Sequence, residues 1–304
     1  MKKGIHLWIG LGGLLIFQTA LFLRIEPVTT YFYSLIWWSY IVMIDGIIYR
    51  LRGNSLIVNQ TRRFFLLIPW SVVIWLVFEG FNLVMKNWYY VGVTKQIFIR
   101  WPGYFVAYGT VLPAILETKD LLSVFGIFEK SRLIPVPVQD SWYRPLIIIG
   151  ILCLILSLLF PQYCFPLVWL GFVFLLEPFN YQTGRPSLLK DLKEGKIGNL
   201  YQLLLSGMIC GLLWEFWNYW AVAKWIYTVP WVGQIRLFEM PVLGFFGFPP
   251  FAVECFILVH FLRLFESRPA GKKKIFWQAV PLWLLFYGVM FAAIDSYTVL
   301  SYSY

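Results

Sequence analysis

In WEFWNYWAVAKWIY, residues 214–227, a glutamate and an asparagine stand among four tryptophans. Glu215 and Asn218 are three residues apart, which puts them on one face of a helix. An apolar setting disfavours a charged carboxyl, so a neutral Glu215 would be a proton donor surrounded by aromatic rings. Asn218 can donate a hydrogen bond to a carboxylate or accept one from a carboxylic acid, and would position that proton. Rings such as Trp214 and Trp217 can stabilise a neighbouring cation by ~2 kcal/mol or more when desolvated. The structural alternative is a polar clamp between membrane helices.

The pattern occurs twice. In FEGFNLVMKNWYY, residues 78–90, Glu79 and Asn82 precede Glu215 and Asn218 by 136 positions. Trp88 and Tyr90 precede Trp225 and Tyr227 by 137. Pro113 and Glu117 in PAILE recur 137 positions on as Pro250 and Glu254 in PFAVE. Asp45 and Ser55 correspond to Glu177 and Ser187, 132 positions later, and RGNSL resembles GRPSL. A carboxylate at membrane depth costs about 2.5–3.5 kcal/mol on insertion scales. Acids kept in both copies are therefore expected to face the interior. Glu117 and Glu254 each follow a proline by four positions and are expected either to line a cavity or to satisfy a proline kink. Asp45 and Glu177 are expected to pair with basic residues at the inner face, and His260 to be a satisfied structural histidine.

A further candidate lies in RLFEMPVLGFFGFPPFAVE, residues 236–254. Glu239 is expected near Glu215 along the membrane normal. Two adjacent carboxyls do not both ionise readily. The alternative is an interfacial glutamate paired with Arg236. Gly244, Gly247, Pro249 and Pro250 should break or kink the start of that helix. Trp88, Tyr89, Tyr90, Trp225 and Tyr227 also suit an interfacial aromatic belt. Gly207 and Gly211 read as a close helix contact.

The elements that position these residues follow from composition. Of 304 residues, 60% are hydrophobic and 13% charged, against about half and about a quarter in soluble domains. The apolar residues form blocks long enough for the ~20-residue helix that a bilayer requires. Nine spans are expected, at roughly 6–24, 31–49, 64–85, 103–125, 145–160, 165–178, 200–222, 242–265 and 275–297. The first is read as retained, because Gln18 stands where signal cleavage after Ala20 needs a small residue. Of the 25 basic residues, 19 fall on one side if the N-terminus is cytoplasmic, including Lys2, Lys3, Arg268 and Lys272 to Lys274. That asymmetry follows the positive-inside rule with the C-terminus outside. The expected fold is an all-α membrane bundle of two parallel four-span repeats plus one C-terminal span. The repeats are 1–128 and 146–268, joined by a cytoplasmic linker at 129–145 and followed by the extra span in 269–304.

The net charge of +10 is spread over alternate loops, so nucleic acid is not an expected partner. No GxGxxG follows a strand, and no GxxxxGK[ST] or Ser-His-Asp signature occurs. Four cysteines without a CxxC pair, and two histidines, suggest neither a metal site nor a disulfide framework. No cofactor is expected. The expected partners are the lipid bilayer, in the inner membrane of a cell, and a lipophilic small molecule.

Each half thus carries an aromatic-acid pair, a W-x-Y, and a proline-acid motif opening an aromatic-rich span. This resembles the integral-membrane lycopene cyclase domain family. In that family two small homologous units, separate or fused, cyclise the ends of a linear carotenoid. Trp214-Glu215 matches the family's Trp-Asp pair. Glu239-Met240-Pro241 followed by GFFGFPPF matches its Pro-Leu-Glu-Glu motif loosely, with one acid on the other side of the proline. Phe78-Glu79 and Trp101-Pro102 are the counterparts in the first half, where Arg100 replaces an acidic motif. The resemblance implies proton-initiated cyclisation without redox change. Glu215 or Glu239 would be the acid, with Glu79 as counterpart. Asn218 and Asn82 would position the acids, and Trp214, Trp217, Trp225, Tyr227, Glu254 and Glu117 would contact substrate. A proton- or cation-coupled transporter and a non-catalytic scaffold are the competing expectations.

Overall fold

The computed structural model describes residues 4–230, 235–264 and 273–303, the last with backbone alone for 273–279. Lys2, Lys3, Arg268, Lys272 and the side chains of Lys273 and Lys274, counted in the charge asymmetry, lie outside the described residues. The helices are α1 (Ile5–Phe22), α2 (Val28–Arg52), α3 (Leu56–Asn59), α4 (Thr61–Met85), α5 (Ile97–Tyr108), α6 (Val111–Val124) and α7 (Tyr143–Leu159). They continue with α8 (Pro161–Cys164), α9 (Val168–Gln182), α10 (Leu188–Lys193), α11 (Gly198–Trp220), α12 (Phe248–Leu262) and α13 (Lys273–Tyr297). The short strands are β1 (Trp88–Val91), β2 (Val93–Thr94), β3 (Lys224–Tyr227), β4 (Arg236–Leu237), β5 (Met240–Pro241) and β6 (Tyr302–Ser303).

Among the described residues, eight helical segments are long and apolar enough to cross a membrane. The protein is an all-α, multi-pass bundle of the membrane type. The expected span at 103–125 is absent from those eight because its helix breaks between α5 and α6. The break has a local cause. In an unbroken helix the Leu112 N–H would bond the Tyr108 carbonyl. Here Ser71 Oγ on α4 donates to the Tyr108 carbonyl (2.5 Å) and accepts from the Leu112 N–H (3.0 Å). One hydroxyl satisfies both freed backbone groups, which is the condition for a break in an apolar surround. The expected break before α12 is present as a tight helical turn over Val242–Gly247. The Gly207–Gly211 contact is also present: a Cβ at either position would meet Phe248.

The strands gather at one end of the bundle and the short helices α3 and α10 at the other. At the strand end, β1 and β3 pair antiparallel, with Trp88 opposite Tyr227, Tyr89 opposite Ile226 and Tyr90 opposite Trp225. The chain's last strand joins them: β6 pairs with β2, and the Tyr90 N–H and carbonyl bond Thr298 and Leu300. At the other end the segment after α6 lies against the loop after α10, with Leu133 N–H on the Gly195 carbonyl (3.0 Å). The core runs between these ends and includes the fully enclosed Phe32, Trp37 and Phe78.

The short helices α3 and α10 explain two of the recurring acids. Asp45 accepts from Ser55 Oγ (2.8 Å) and the Ile57 N–H (2.8 Å), and lies 3.0 Å from His6 Nε2. Glu177 accepts from Ser187 Oγ (2.6 Å) and the Leu189 N–H (2.8 Å). Each acid thus anchors the serine that caps α3 or α10, together with a free first-turn N–H. The Arg and Lys partners expected for Asp45 and Glu177 are not the ones they take: among the described residues Asp45 has His6 as its one basic partner and Glu177 has none. His260 is satisfied as expected, through Nδ1 and the Phe256 carbonyl (2.7 Å).

Candidate functional site

A cavity of about 500 Å³ opens at the strand end, within the range of small-molecule sites. Its wall is built mainly of rings: Trp88, Tyr90, Trp225 and Tyr227 from the paired strands, Trp75 and Trp214 from α4 and α11, and Tyr104 and Tyr108 from α5. Tyr33, Trp169, Phe248 and Phe251 complete it from α2, α9 and α12. The strand pairing dictates this. Alternation along β1 and β3 sends Trp88, Tyr90, Trp225 and Tyr227 to one side of the ribbon. Both halves of the chain therefore contribute to one chamber.

The two glutamates stand behind this wall. Glu79 is fully buried, and its Oε1 accepts from Trp75 Nε1 (2.9 Å), Trp88 Nε1 (3.0 Å) and the Tyr90 hydroxyl. Glu215 is also fully buried, and its Oε1 accepts from the Tyr227 hydroxyl at 2.9 Å. In both residues Oε2 has no hydrogen-bond partner. The acids were expected to face the chamber directly; tyrosines that line it stand in front of them instead.

The asparagines also act differently from expectation. Asn218 accepts from the Trp225 N–H (2.9 Å) and donates to the Trp225 carbonyl (2.8 Å). Asn82 accepts from the N–H groups of Asn87 (2.8 Å) and Trp88 (3.2 Å) and donates to the Trp88 carbonyl (2.9 Å). Each amide grips the first turns of the following strand rather than the glutamate. Its effect on the site is indirect: it sets the strand that carries the tyrosine.

The two dyads differ in their surroundings. Trp75, which donates to Glu79, has Gly211 at the equivalent position, and the space there holds the Phe248 ring. Trp88 reaches Glu79, whereas Trp225 Nε1 is buried without a hydrogen-bond partner. Three donors therefore converge on one oxygen of Glu79, and a single phenol on Glu215.

The remaining candidates are dispersed. Glu239 is ion-paired with Lys224 of β3, not with Arg236, because the β4–β5 hairpin turns it back towards the chamber mouth. Lys224 lines that mouth while Glu239 does not. Trp217 is outside the wall and packs edge-on to Trp37, ring centroids 4.8 Å apart. Glu254 is outside it too, accepting from the Phe172 N–H (2.9 Å) across the α9–α12 contact. Glu117 is likewise outside the wall, 1% exposed, and lies beside the Asp45 carboxyl. Sequence reading missed the pairing of Arg100 with Asp295. Arg100 donates through Nε to Oδ1 (2.8 Å) and through Nη2 to Oδ2 (2.7 Å) of Asp295, which also accepts from Trp101 (2.9 Å) and Tyr104 (2.9 Å). Nothing in the spacing of residues 195 positions apart announces that pair. The recurrence of Tyr90 and Tyr227 did announce the tyrosines, but a membrane-interface belt accounts for the same residues.

No family model matches this chain, and neither a curated protein nor a solved structure does.

Proposed function

We propose that this protein is an integral-membrane enzyme that admits a lipophilic, isoprenoid-like molecule to the aromatic chamber and transfers protons to it through Tyr227 and Glu215. The observation that carries this reading is the Tyr227–Glu215 hydrogen bond (2.9 Å) at the wall of a cavity lined by rings. In the resting bond the phenol donates to Glu215; for transfer the bond reverses, a neutral Glu215 donating its proton to the phenol oxygen while the phenol O–H, turned into the chamber, protonates a substrate alkene. The resulting cation faces Trp214, Trp225 and Tyr33, whose π-faces attract it. Attack by a second double bond closes a ring. Loss of a proton from carbon, through the phenol, returns the carboxyl to its starting state. Atoms and electrons balance, and the product is an isomer of the substrate.

The unequal dyads point to the second half as the reacting one. Glu79 is held by three donors, which fixes its geometry. Glu215 has one hydrogen-bonded donor, the phenol that lines the chamber, and the second oxygen is open in both.

The wider organisation belongs to the same proposal: nine passes, two fused four-span copies related by a pseudo-two-fold along the membrane normal, N-terminus cytoplasmic. The β1–β3 register supports the copies. Advancing Trp88 and Tyr90 by 137 positions gives Trp225 and Tyr227, which turns the pair Trp88–Tyr227 into Tyr90–Trp225, also a pair in the ladder. The matched Asp45–Ser55 and Glu177–Ser187 bonds support it as well.

Expression in cells that accumulate lycopene, followed by pigment chromatography, tests the carotenoid version, with cyclised product expected. Glu215→Gln and Tyr227→Phe should each reduce product about 100-fold or more, the scale of a lost general acid. Absence of product from the parent protein removes the carotenoid substrate; persistence of product in both variants removes the dyad. Proton- or cation-coupled transport is the second reading, favoured by Glu117, a buried acid that lies beside the Asp45 carboxyl. Uptake into liposomes that depends on a proton or cation gradient would support transport over catalysis.

A further inference from the structure

A second cavity of about 390 Å³ lies nearer the short-helix end, between α7, α9, α11 and α12. Its walls are apolar and include Val173, Phe174, Leu200 and Leu204. Leu170 of α9 and Pro250 of α12 border both this cavity and the aromatic chamber. These two residues stand between the two spaces. Leu170 is 37% exposed and a leucine side chain changes rotamer readily. From Leu170 to Glu177, which also borders the second cavity, α9 advances about 10 Å. The second cavity thus extends the chamber along the helix axes towards the opposite membrane face. Its far end is marked by polar groups, Glu177, Asp191 and Lys196, and Glu177 is already engaged by Ser187 and the Leu189 N–H.

We propose that chamber and second cavity form one binding tract for an elongated, flexible lipophilic chain. The reacting end occupies the aromatic chamber beside Tyr227, and the tail passes Leu170 and Pro250 into the second cavity. The proposal rests on the chamber being the substrate site. The contiguity of the spaces favours a single chain over a separate bilayer lipid, and the lack of polar wall between Leu170 and Glu177 favours hydrocarbon. The tail leaves lipid, not water, so its gain is van der Waals packing alone and length preference is modest.

The test uses the full chain in lipid nanodiscs, with geraniol, farnesol and geranylgeraniol as probes and quenching of tryptophan fluorescence as readout. Trp75, Trp88, Trp169, Trp214 and Trp225 line the chamber and report its occupancy. The parent protein should bind geranylgeraniol about threefold or more tightly than geraniol. Leu200→Phe and Leu204→Phe each fill the second cavity from α11, and neither residue lines the chamber. Each should remove the preference for length and leave geraniol binding in place. If one variant does not fold, the other decides. A parent protein without length preference, or a preference unchanged in the folded variants, overturns the single tract while leaving the chamber. Failure of all three probes to bind the parent overturns the chamber as well.

Discussion

At Glu79, removal of the carboxyl leaves the Trp75 and Trp88 indoles and the Tyr90 phenol without an acceptor. Each orphaned buried donor costs about 1–3 kcal/mol. Glu79→Leu should therefore destabilise the protein by about 3 kcal/mol or more, read as a fall in thermal midpoint in detergent. Glu215→Leu orphans one phenol and should cost about 1–2 kcal/mol. Equal losses from the two variants would contradict the division into a holding and a reacting dyad. The same residues show why the carboxyl need not line the chamber. A phenol in front of it presents a ring to an apolar ligand and still connects the buried acid to that ligand by one hydrogen bond.

Among elements, two contacts decide the shape of the chamber mouth. Asn218 fixes β3 through two bonds to Trp225, so Asn218→Ala should cost about 1–3 kcal/mol and loosen the strand. Amide exchange of residues 224–227 would report it, with protection lost in the variant and kept in the parent. The Arg100–Asp295 pair ties α13 to α5, with side chains 8% and 13% exposed. Breaking a fully buried pair costs about 3–5 kcal/mol, and the residual exposure here lowers the expectation for Asp295→Asn to about 2 kcal/mol. A double-mutant cycle with Arg100→Gln would measure the coupling; a value near zero would make the pair incidental. Ser71→Val should be costly as well, because it strands the Tyr108 carbonyl and the Leu112 N–H at the α5–α6 break.

For the molecule as a whole, the β1–β3 ladder is where the halves of the chain meet at the chamber wall. Tyr89 and Ile226 face each other at its centre, and opposed antiparallel residues have Cα atoms about 4.5–5.5 Å apart. That is within disulfide reach. Tyr89→Cys combined with Ile226→Cys should form an intramolecular cross-link under mild oxidation, seen as a mobility shift that reductant reverses. Neither single variant should show it. Absence of the link in the double variant would contradict the pairing and the shared chamber with it.

Hydrophobic blocks and their charge asymmetry pointed, from sequence, to a multi-span helical chain, and the spaced recurrence of acid, asparagine and W-x-Y singled out Trp214, Trp225 and Tyr227, which stand in the chamber wall. A bilayer imposes hydrophobic blocks on any sequence that crosses it, and a recurrence is legible as spacing alone. Tertiary structure decided which member of each local group touches what. It put Tyr227 rather than Glu215 at the wall, turned Asn82 and Asn218 onto backbone, gave Asp45 a serine and His6, and Glu177 a serine, in place of Arg or Lys, and joined Arg100 to Asp295. Helical spacing names the face a side chain occupies but not the neighbour across it. Partners drawn from distant spans are chosen by how the helices pack, and only the folded bundle contains that choice.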